Sequence, residues 1–358
     1  MMVYEAWEVS GMAGSCDVVV VGGGQGGLAA GYYLRRAGLD HVILDAQSQP
    51  GGAWRHGWDS LRLFSPAQHS PLPGWAMPHQ DGEDFPTAGH VVAYLRAYEQ
   101  RYDLPVRRPV RVHEVRPAGE GLAVETDTGR WLARYVISAT GTWECPYVPD
   151  VPGRAEFTGR QLHTVHYTSP DEFRGQRVMV VGGGNSAAQI LAEVSRVAEV
   201  TWVTARPPRF MPDDVDGRVL FEVATRTAAG GPGGSVSDLG DIVMVPSVRD
   251  AREREVLRAR PMIARLTAHG ACWPDEAEQP YEAVIWCTGF RPNLTHLAAL
   301  LPSYQQGKVA THGTRSVDEP RLYLLGYGNW TGPASATLIG VGRTAKATVA
   351  DITARLHP

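Results

Sequence analysis

"DVVVVGGGQGGLAAGYYLRRAGLDHVILDA", residues 17–46, is the stretch that decides the fold. The apolar run over 17–21 predicts a buried strand that breaks at Gly22 and gives way to a helix with Leu28, Leu34 and Ala37 on its apolar face. Gly38 stops that helix, and 41–45 predicts the next strand. Gly22, Gly24 and Gly27 fall at GxGxxG spacing. The first permits a tight turn, the second lets a pyrophosphate reach the backbone, and the third lets helix and strand pack closely. Asp45, ending the second strand, is then placed to accept hydrogen bonds from ribose hydroxyls. Strand, turn, helix, strand and terminal acid in that order predict a dinucleotide-binding unit.

Residues 176–210, "QRVMVVGGGNSAAQILAEVSRVAEVTWVTARPPRF", repeat the scheme: Gly182, Gly184 and Ala187 follow a strand, and the next helix carries Ile190, Leu191 and Val194. Here the terminal acid is missing. Thr204, Arg206 and Arg209 occupy its region, and an arginine there suits a 2′-phosphate, so NADPH is expected rather than NADH. Both units close on an apolar strand ending in Thr-Gly, "YVISATGTW" at 135–143 and "AVIWCTGF" at 283–290. Residues 321–352 then predict a strand, a turn at Gly326 to Gly328 and a helix from about Ala336. The expectation is an α/β protein with two Rossmann-like dinucleotide-binding domains, one inserted in the other: 15–149 with 289–358, and 150–288 between them.

With 34 Lys+Arg against 38 Asp+Glu, the formal net charge is -4, and no basic face for nucleic acid or an anionic membrane is expected. Apolar runs end at glycine well short of a membrane span. Residues 1–14 lack the basic and apolar regions of a secretory signal, and Met12 stands beside Met1 as a candidate start. Cys16, Cys145, Cys272 and Cys287 lie far apart with no CxxC pair, which argues against a zinc or dithiol centre and for a reducing cytoplasm. Composition predicts a flexible loop at 228–240 and a charged helix with a solvated face at 248–260. The stretch 56–86, rich in proline and aromatics, reads either as the wall of a substrate pocket or as a packing arm.

Phe157, Gly159, His163 and Tyr167 in "FTGRQLHTVHY" match the pattern FxGxxxHxxxY, and Ala139, Thr140 and Gly141 with Pro146 and Pro149 form an ATG linker. Both resemble fingerprints of the class B flavin-dependent monooxygenases. With "PGGAWRHGWDSLRLFSP", "DDVDGRVLFE", "GDIVMVP", "VIWCTGFRP" and "ASATLIGVGR", the chain is similar to the ArsO group of bacterial NAD(P)H-dependent monooxygenases associated with arsenic resistance. The resemblance implies FAD in the first unit and NADPH in the second. Hydride would pass to FAD, reduced flavin would add dioxygen as a C4a-(hydro)peroxide, and that peroxide would oxygenate a small soft nucleophile, a sulfur, nitrogen or trivalent arsenic compound. It also implies that the fingerprint joins the domains, with His163 tying the linkers together, and that Trp54 and Arg55 contact the flavin. His163 and His166 have no third ligand at useful spacing, so no metal is expected.

Several relatives carry Ser-Asn-Gly where this chain has Phe64, Ser65 and Pro66, and proline has no donor to take over the asparagine's support of the peroxyflavin. The catalytic candidates are then Ser65, which also reads as a turn residue before proline, and Asn185. Asn329 stands where relatives have aspartate and is expected to bond a ribityl hydroxyl. Competing expectations are a flavin-dependent NADPH oxidase and a non-catalytic flavin redox sensor or partner-binding module. The partners expected are a small-molecule substrate and dioxygen, with a homodimer left open.

Overall fold

The computed structural model describes residues 11–215, 217, 219, 222, 223, 226, 240–302, 304 and 308–357. The chain opens with β1 (Met12–Val21), α1 (Gln25–Arg36) and β2 (His41–Leu44), then α2 (Ala88–Arg101), β3 (Val106–Arg107), β4 (Val112–Ala118), β5 (Gly121–Thr126) and β6 (Gly129–Ser138). A second group follows: β7 (Arg160–His163), β8 (Arg177–Val181), α3 (Asn185–Val194), β9 (Glu199–Thr204), α4 (Pro246–Glu253), β10 (Ala259–Pro261), β11 (Arg265–Leu266), β12 (Gly270–Cys272), β13 (Glu278–Pro280) and β14 (Ala283–Trp286). β15 (Thr311–His312), β16 (Arg315–Ser316), β17 (Leu322–Leu324) and α5 (Leu338–Leu356) complete it.

The two glycine turns sit in equivalent sheets. The first contains the parallel order β3-β2-β1-β6-β17, and the second is β10-β9-β8-β14-β7, parallel throughout. Position by position the order is the same, except that the fifth strand comes from the chain's end in the first sheet and from the point of entry in the second. Entry strand β7 and exit strand β14 are therefore direct neighbours, in register from Arg160↔Ala283 to His163↔Trp286. The α/β class and the duplicated Rossmann plan agree with the sequence reading.

Both faces of each sheet are covered, which is why the strands read as unbroken apolar runs. Val18 and Val20 point into one core with α1, α2 and α5, while Val19 and Val21 point into another beneath the β4–β5 hairpin. Val178 and Val180 repeat this against α3 and α4, and Met179 and Val181 against the small antiparallel sheet β11-β12-β13.

Some local expectations shift. Ala37 is the exposed C-cap of α1 and not part of its buried face. The helix expected from about Ala336 starts at Leu338, because the Thr337 side chain accepts from Gly340 N at 3.0 Å and caps it. The charged helix expected over 248–260 stops at Glu253. Glu255 takes a φ of 60°, after which 259–261 joins the sheet as β10. The solvated face is present, and the opposite one is buried, with Val248 and Ala251 on the side that packs on α3. The loop expected at 228–240 lies outside the described residues except for Gly240.

The stretch 56–86 is a strap between the two units. Trp58, 5% exposed, inserts into the core beneath the second sheet and meets Tyr167 edge to face, while Leu63, Ala67, Leu72 and Met77 belong to the core of the first. Asp59 N bonds Thr168 O at 3.1 Å, and Ser60 Oγ bonds Glu193 of α3. Trp58→Ala is expected to lower unfolding free energy by about 3–5 kcal/mol, with Trp58→Phe recovering most of it. Urea unfolding checks this, and an unchanged midpoint would mean that the strap contributes nothing.

Candidate active site

A cleft of about 620 Å³ opens where α1 begins, lined among others by Gly22 to Gly26, Asp45, Gly52, Trp54, Thr140 and His296. Its floor requires glycine. A Cβ on Gly22 would lie 2.6 Å from Ala139 O, one on Gly23 would lie 2.6 Å from the Asp45 carboxylate, and one on Gly52 would lie 2.9 Å from Gly24 Cα. α1 has no side-chain cap and no acid in its first turn, so its leading amides face the cleft unopposed. An anionic dinucleotide backbone fits that donor set. Gly27 lies one turn further in and serves packing, since a Cβ there would stand 1.9 Å from Gly22 O.

Asp45, 4% exposed, ends β2 in the cleft wall. Its Oδ2 accepts from Arg108 Nε at 2.7 Å, and Arg108 Nη1 donates to Glu99 at 2.7 Å. Gln47 N also donates to Asp45 Oδ1 at 3.3 Å; a carboxylate has capacity beyond these two bonds, so Asp45 keeps acceptor sites toward the cleft while Arg108 fixes its orientation. Trp54 Nε1 donates to Gln25 Oε1 at 2.9 Å, and Gln25 Nε2 donates to Ala336 O at 2.7 Å, joining the cleft's rim to the last segment. Two expected contacts fall elsewhere. Arg55 is absent from the lining and reaches Gln47 and Gln49 O, and Asn329 is exposed at the start of a 3-10 turn, with Gly326 lining the cleft in its place.

The cleft wall hides a polar chain that the sequence reading missed. His296 Nε2 lies 3.2 Å from Ser138 Oγ, Ser138 Oγ 2.7 Å from Tyr327 Oη, Tyr327 Oη 2.7 Å from Thr140 Oγ1, and Thr140 Oγ1 2.7 Å from Asn293 O. Asn293 Nδ2 continues to Glu144, itself paired with Arg111. Burial raises the Tyr327 phenol and lowers His296 to about 4.

At the second turn, a Cβ on Gly182 would lie 2.1 Å from Cys287 O, as Gly22 stands to Ala139, while open space surrounds Gly184. Ala187 is buried in the helix, α3 has no side-chain cap, and Thr204 is buried at the end of β9. The two arginines part company. Arg209 is held bidentately by Asp241 at 2.9 and 2.8 Å, whereas Arg206 is exposed on the loop after β9 with no side-chain hydrogen bond to the described residues. Asn185 is occupied by backbone: its Nδ2 donates to Asp241 O at 3.2 Å and its Oδ1 accepts from Val243 N at 2.8 Å. Ser65 faces Gly217, whose N donates to Phe64 O at 2.8 Å. Neither catalytic candidate lines the cleft.

The fingerprint residues gather at the junction. Phe157 is buried, and a Cβ on Gly159 would stand 2.5 Å from its ring and 2.7 Å from Glu282 O. His163, 4% exposed, donates from Nε2 to Gly289 O at 3.0 Å and accepts at Nδ1 from Val165 N at 3.3 Å. Both nitrogens are thus engaged by backbone in the neutral tautomer, in keeping with burial lowering its pKa. Gly289 O also accepts from Tyr147 N, so His163 fastens the two linkers where they run side by side. Tyr167 Oη donates to Glu193 at 3.0 Å. An aromatic row continues outward from His163, edge to face with Phe290 and then stacked through Trp143 to His56, the last two lining the cleft.

Burial holds His41, His163 and His296 neutral. A histidine whose folded pKa is lowered contributes its full stability above the unfolded value of 6.5 and loses it as pH falls toward the folded one. For His296, between 6.5 and about 4, this amounts to on the order of 3 kcal/mol. Urea unfolding at pH 7 and 4.5 is expected to show a smaller acid loss in His296→Gln than in the wild type; equal losses would mean that His296 titrates normally.

Residues 19–227 match the pyridine nucleotide-disulphide oxidoreductase family. The flavin-containing monooxygenase from Stenotrophomonas maltophilia is 54% identical, with a TM-score of 0.89 over 96% of this chain and 99% of that one. An uncharacterized CzcO-like oxidoreductase of Geobacillus kaustophilus is 29% identical over 343 residues, 94% of this chain and 98% of that protein. Senecionine N-oxygenase of Tyria jacobaeae is 23% identical over 363 residues, 89% of this chain and 68% of that protein. At 54% identity over nearly the whole of both chains, with the glycine turns and the fingerprint between them in place, the chain belongs to the class B flavin-containing monooxygenases, oxidoreductases that use FAD and NADPH.

Proposed function

We propose that the protein transfers one oxygen atom of dioxygen to a small soft nucleophile, a sulfur, nitrogen or trivalent arsenic compound of the kind taken by the ArsO group, at the expense of NADPH. FAD occupies the first cleft, in a domain formed by 15–149 and 289–358, and NADPH binds at the second turn, in a domain formed by 150–288. The observation that carries this is the pair of uncapped glycine turns at equivalent places in the same parallel strand order, clasped by His163 on Gly289 and by the strap. A relative named for N-oxygenation supports a nitrogen acceptor among the candidates.

Bound flavin, once reduced, supplies the activation of dioxygen. The chain's own part is to bind, orient and shield. The α1 amides and Asp45 hold one dinucleotide, and the α3 amides and Arg206 hold the other, Arg206 being the arginine that Asp241 does not hydrogen-bond. A soft acceptor attacks through its own lone pair, so no protein base is needed to activate it. Among the described residues no helix is long and apolar enough to cross a membrane. The four free cysteines favour the cytoplasm.

Oxygen uptake with ¹⁸O₂ and a panel of thioether, tertiary amine and arsenite tests the reaction. One labelled oxygen in product for each NADPH consumed is expected from at least one of them. Pro66 favours a second reading, an NADPH oxidase; hydrogen peroxide matching NADPH with every candidate would establish that reading instead. Arg206→Ala is expected to raise KM for NADPH about tenfold or more, with little change for NADH. Equal changes for the two would sink the 2′-phosphate assignment.

A further inference from the structure

The chain behind the first cleft admits one arrangement of protons. Its four contacts, His296 to Ser138, Ser138 to Tyr327, Tyr327 to Thr140 and Thr140 to Asn293 O, have four protons available, one from each side chain. A carbonyl can only accept, so Thr140 donates to Asn293 O. Thr140 must then accept from Tyr327, Tyr327 from Ser138, and Ser138 from His296 Nε2. Tyr327 Oη takes a further donor, Thr140 N at 3.3 Å. The imidazole is thereby fixed as the Nε2–H tautomer, and its lone pair is at Nδ1. That atom has no partner among the described residues, and it is not sealed in the core either: His296 forms part of the cleft wall, and Nδ1 is not one of the buried unpartnered atoms.

We propose that His296 is a cofactor-binding residue whose Nδ1 accepts a hydrogen bond from a hydroxyl or amino group on the adenosine half of FAD, the relay through Ser138, Tyr327 and Thr140 serving to keep that lone pair turned to the cleft. The adenosine half is indicated by position. The turn Thr295–Leu300 that carries His296 packs on β4, the cleft wall there includes Val110 to Val112, and Val110 N bonds Asp45 O at 2.8 Å. Asp45 is the acid placed for a ribose. Burial alone lowers the imidazole to about 4, so it stays neutral, an acceptor, throughout the physiological range.

This rests on the first cleft being the FAD site, and two substitutions separate the roles of the two nitrogens. In His296→Gln the side-chain amide can still donate to Ser138 but no acceptor remains at Nδ1; in His296→Asn the oxygen falls near Nδ1 and the donor to Ser138 is lost. FAD release from the holoprotein on serial dilution, followed by flavin fluorescence, gives the dissociation constant, and thermal melting of the FAD-stripped protein reports the fold apart from the stabilisation that bound FAD itself confers. His296→Gln is expected to weaken FAD about five- to tenfold, the worth of one hydrogen bond, with its melting temperature at pH 7 retained. His296→Asn is expected to hold FAD within about threefold of the wild type. Wild-type affinity in His296→Gln would overturn the proposal, as would losses in both variants that track melting temperature. Should His296→Gln fail to fold, ¹⁵N-histidine spectra of the wild type decide: the His296 Nδ1 resonance is expected to move when FAD is removed, and an unmoved resonance refutes the contact. Asp45→Ala guards the premise. If FAD affinity is unchanged there, the assignment of the cleft has failed, whatever His296 does.

Discussion

Two carbonyl oxygens, those of Ala139 and Cys287, set the geometry on which both sites depend. Each belongs to the residue that follows a closing strand, β6 or β14, and each stands where the first glycine of the neighbouring turn would otherwise carry a Cβ. Any side chain at Gly22 or Gly182 would push the turn off the strand, and both residues also take positive φ, 105° and 143°. With the turn seated, α1 and α3 begin directly above the sheet edge, and their uncapped amides are aimed outward. The anion-binding property is thus a consequence of how closely two backbones pass.

The same closing strands also determine how the units are joined. Leaving β6, the chain passes Gly141 and Trp143 toward the second sheet; leaving β14, it returns past Gly289 and Phe290. The two linkers run antiparallel, bonded through Tyr147 N to Gly289 O, Arg291 N to Cys145 O and Asn293 N to Gly141 O. His163 fastens this pair on one side, while the strap closes the other through Trp58 and Ser60. A rotation of one unit against the other would have to break buried aromatic packing on the strap side and a buried hydrogen bond on the linker side.

The sequence was legible where function needs a local pattern. Glycine spacing, the flanking apolar runs and the Thr-Gly endings gave both units, their order and the insertion, because each is imposed by neighbouring residues in the chain. It was least legible where partners meet across long separations. Tyr327 lies 187 positions from Thr140, and His296 158 positions from Ser138, so no spacing betrays their chain of bonds. Arg108 on Asp45 escaped for the same reason, as did Glu193 beneath Tyr167. Side-chain type alone was a poor guide to Asn185, which suggested a catalytic amide and serves the backbone of the loop at 241–243. The helix expected at 248–260 ends early, at Glu253, because charge pattern does not show the left-handed residue, Glu255, that follows it.

The two units, so alike in backbone, differ in what lies behind the turn, and the difference suits their proposed tasks. Behind the first, four protons satisfy four contacts, two of them fully buried, in a single arrangement; loss of the Ser138 hydroxyl would leave buried partners unpaired, so the wall resists rearrangement. Its cleft holds about 620 Å³, and the last segment of the chain is tied to its rim by Gln25. Behind the second, Cys287 is a buried thiol raised to about 12 by burial, and Thr288 spends its hydroxyl on Tyr147 O in the linker. Space above Gly184 is open and Arg206 is in solvent. A dinucleotide that must remain through every turnover gains from a rigid, enclosed wall, and one that must enter and leave gains from an exposed charge on an open turn. On the proposed assignment, one nucleotide-binding plan used twice serves as a resident site and an exchanging site, distinguished less by the glycine turns than by the side chains packed behind them.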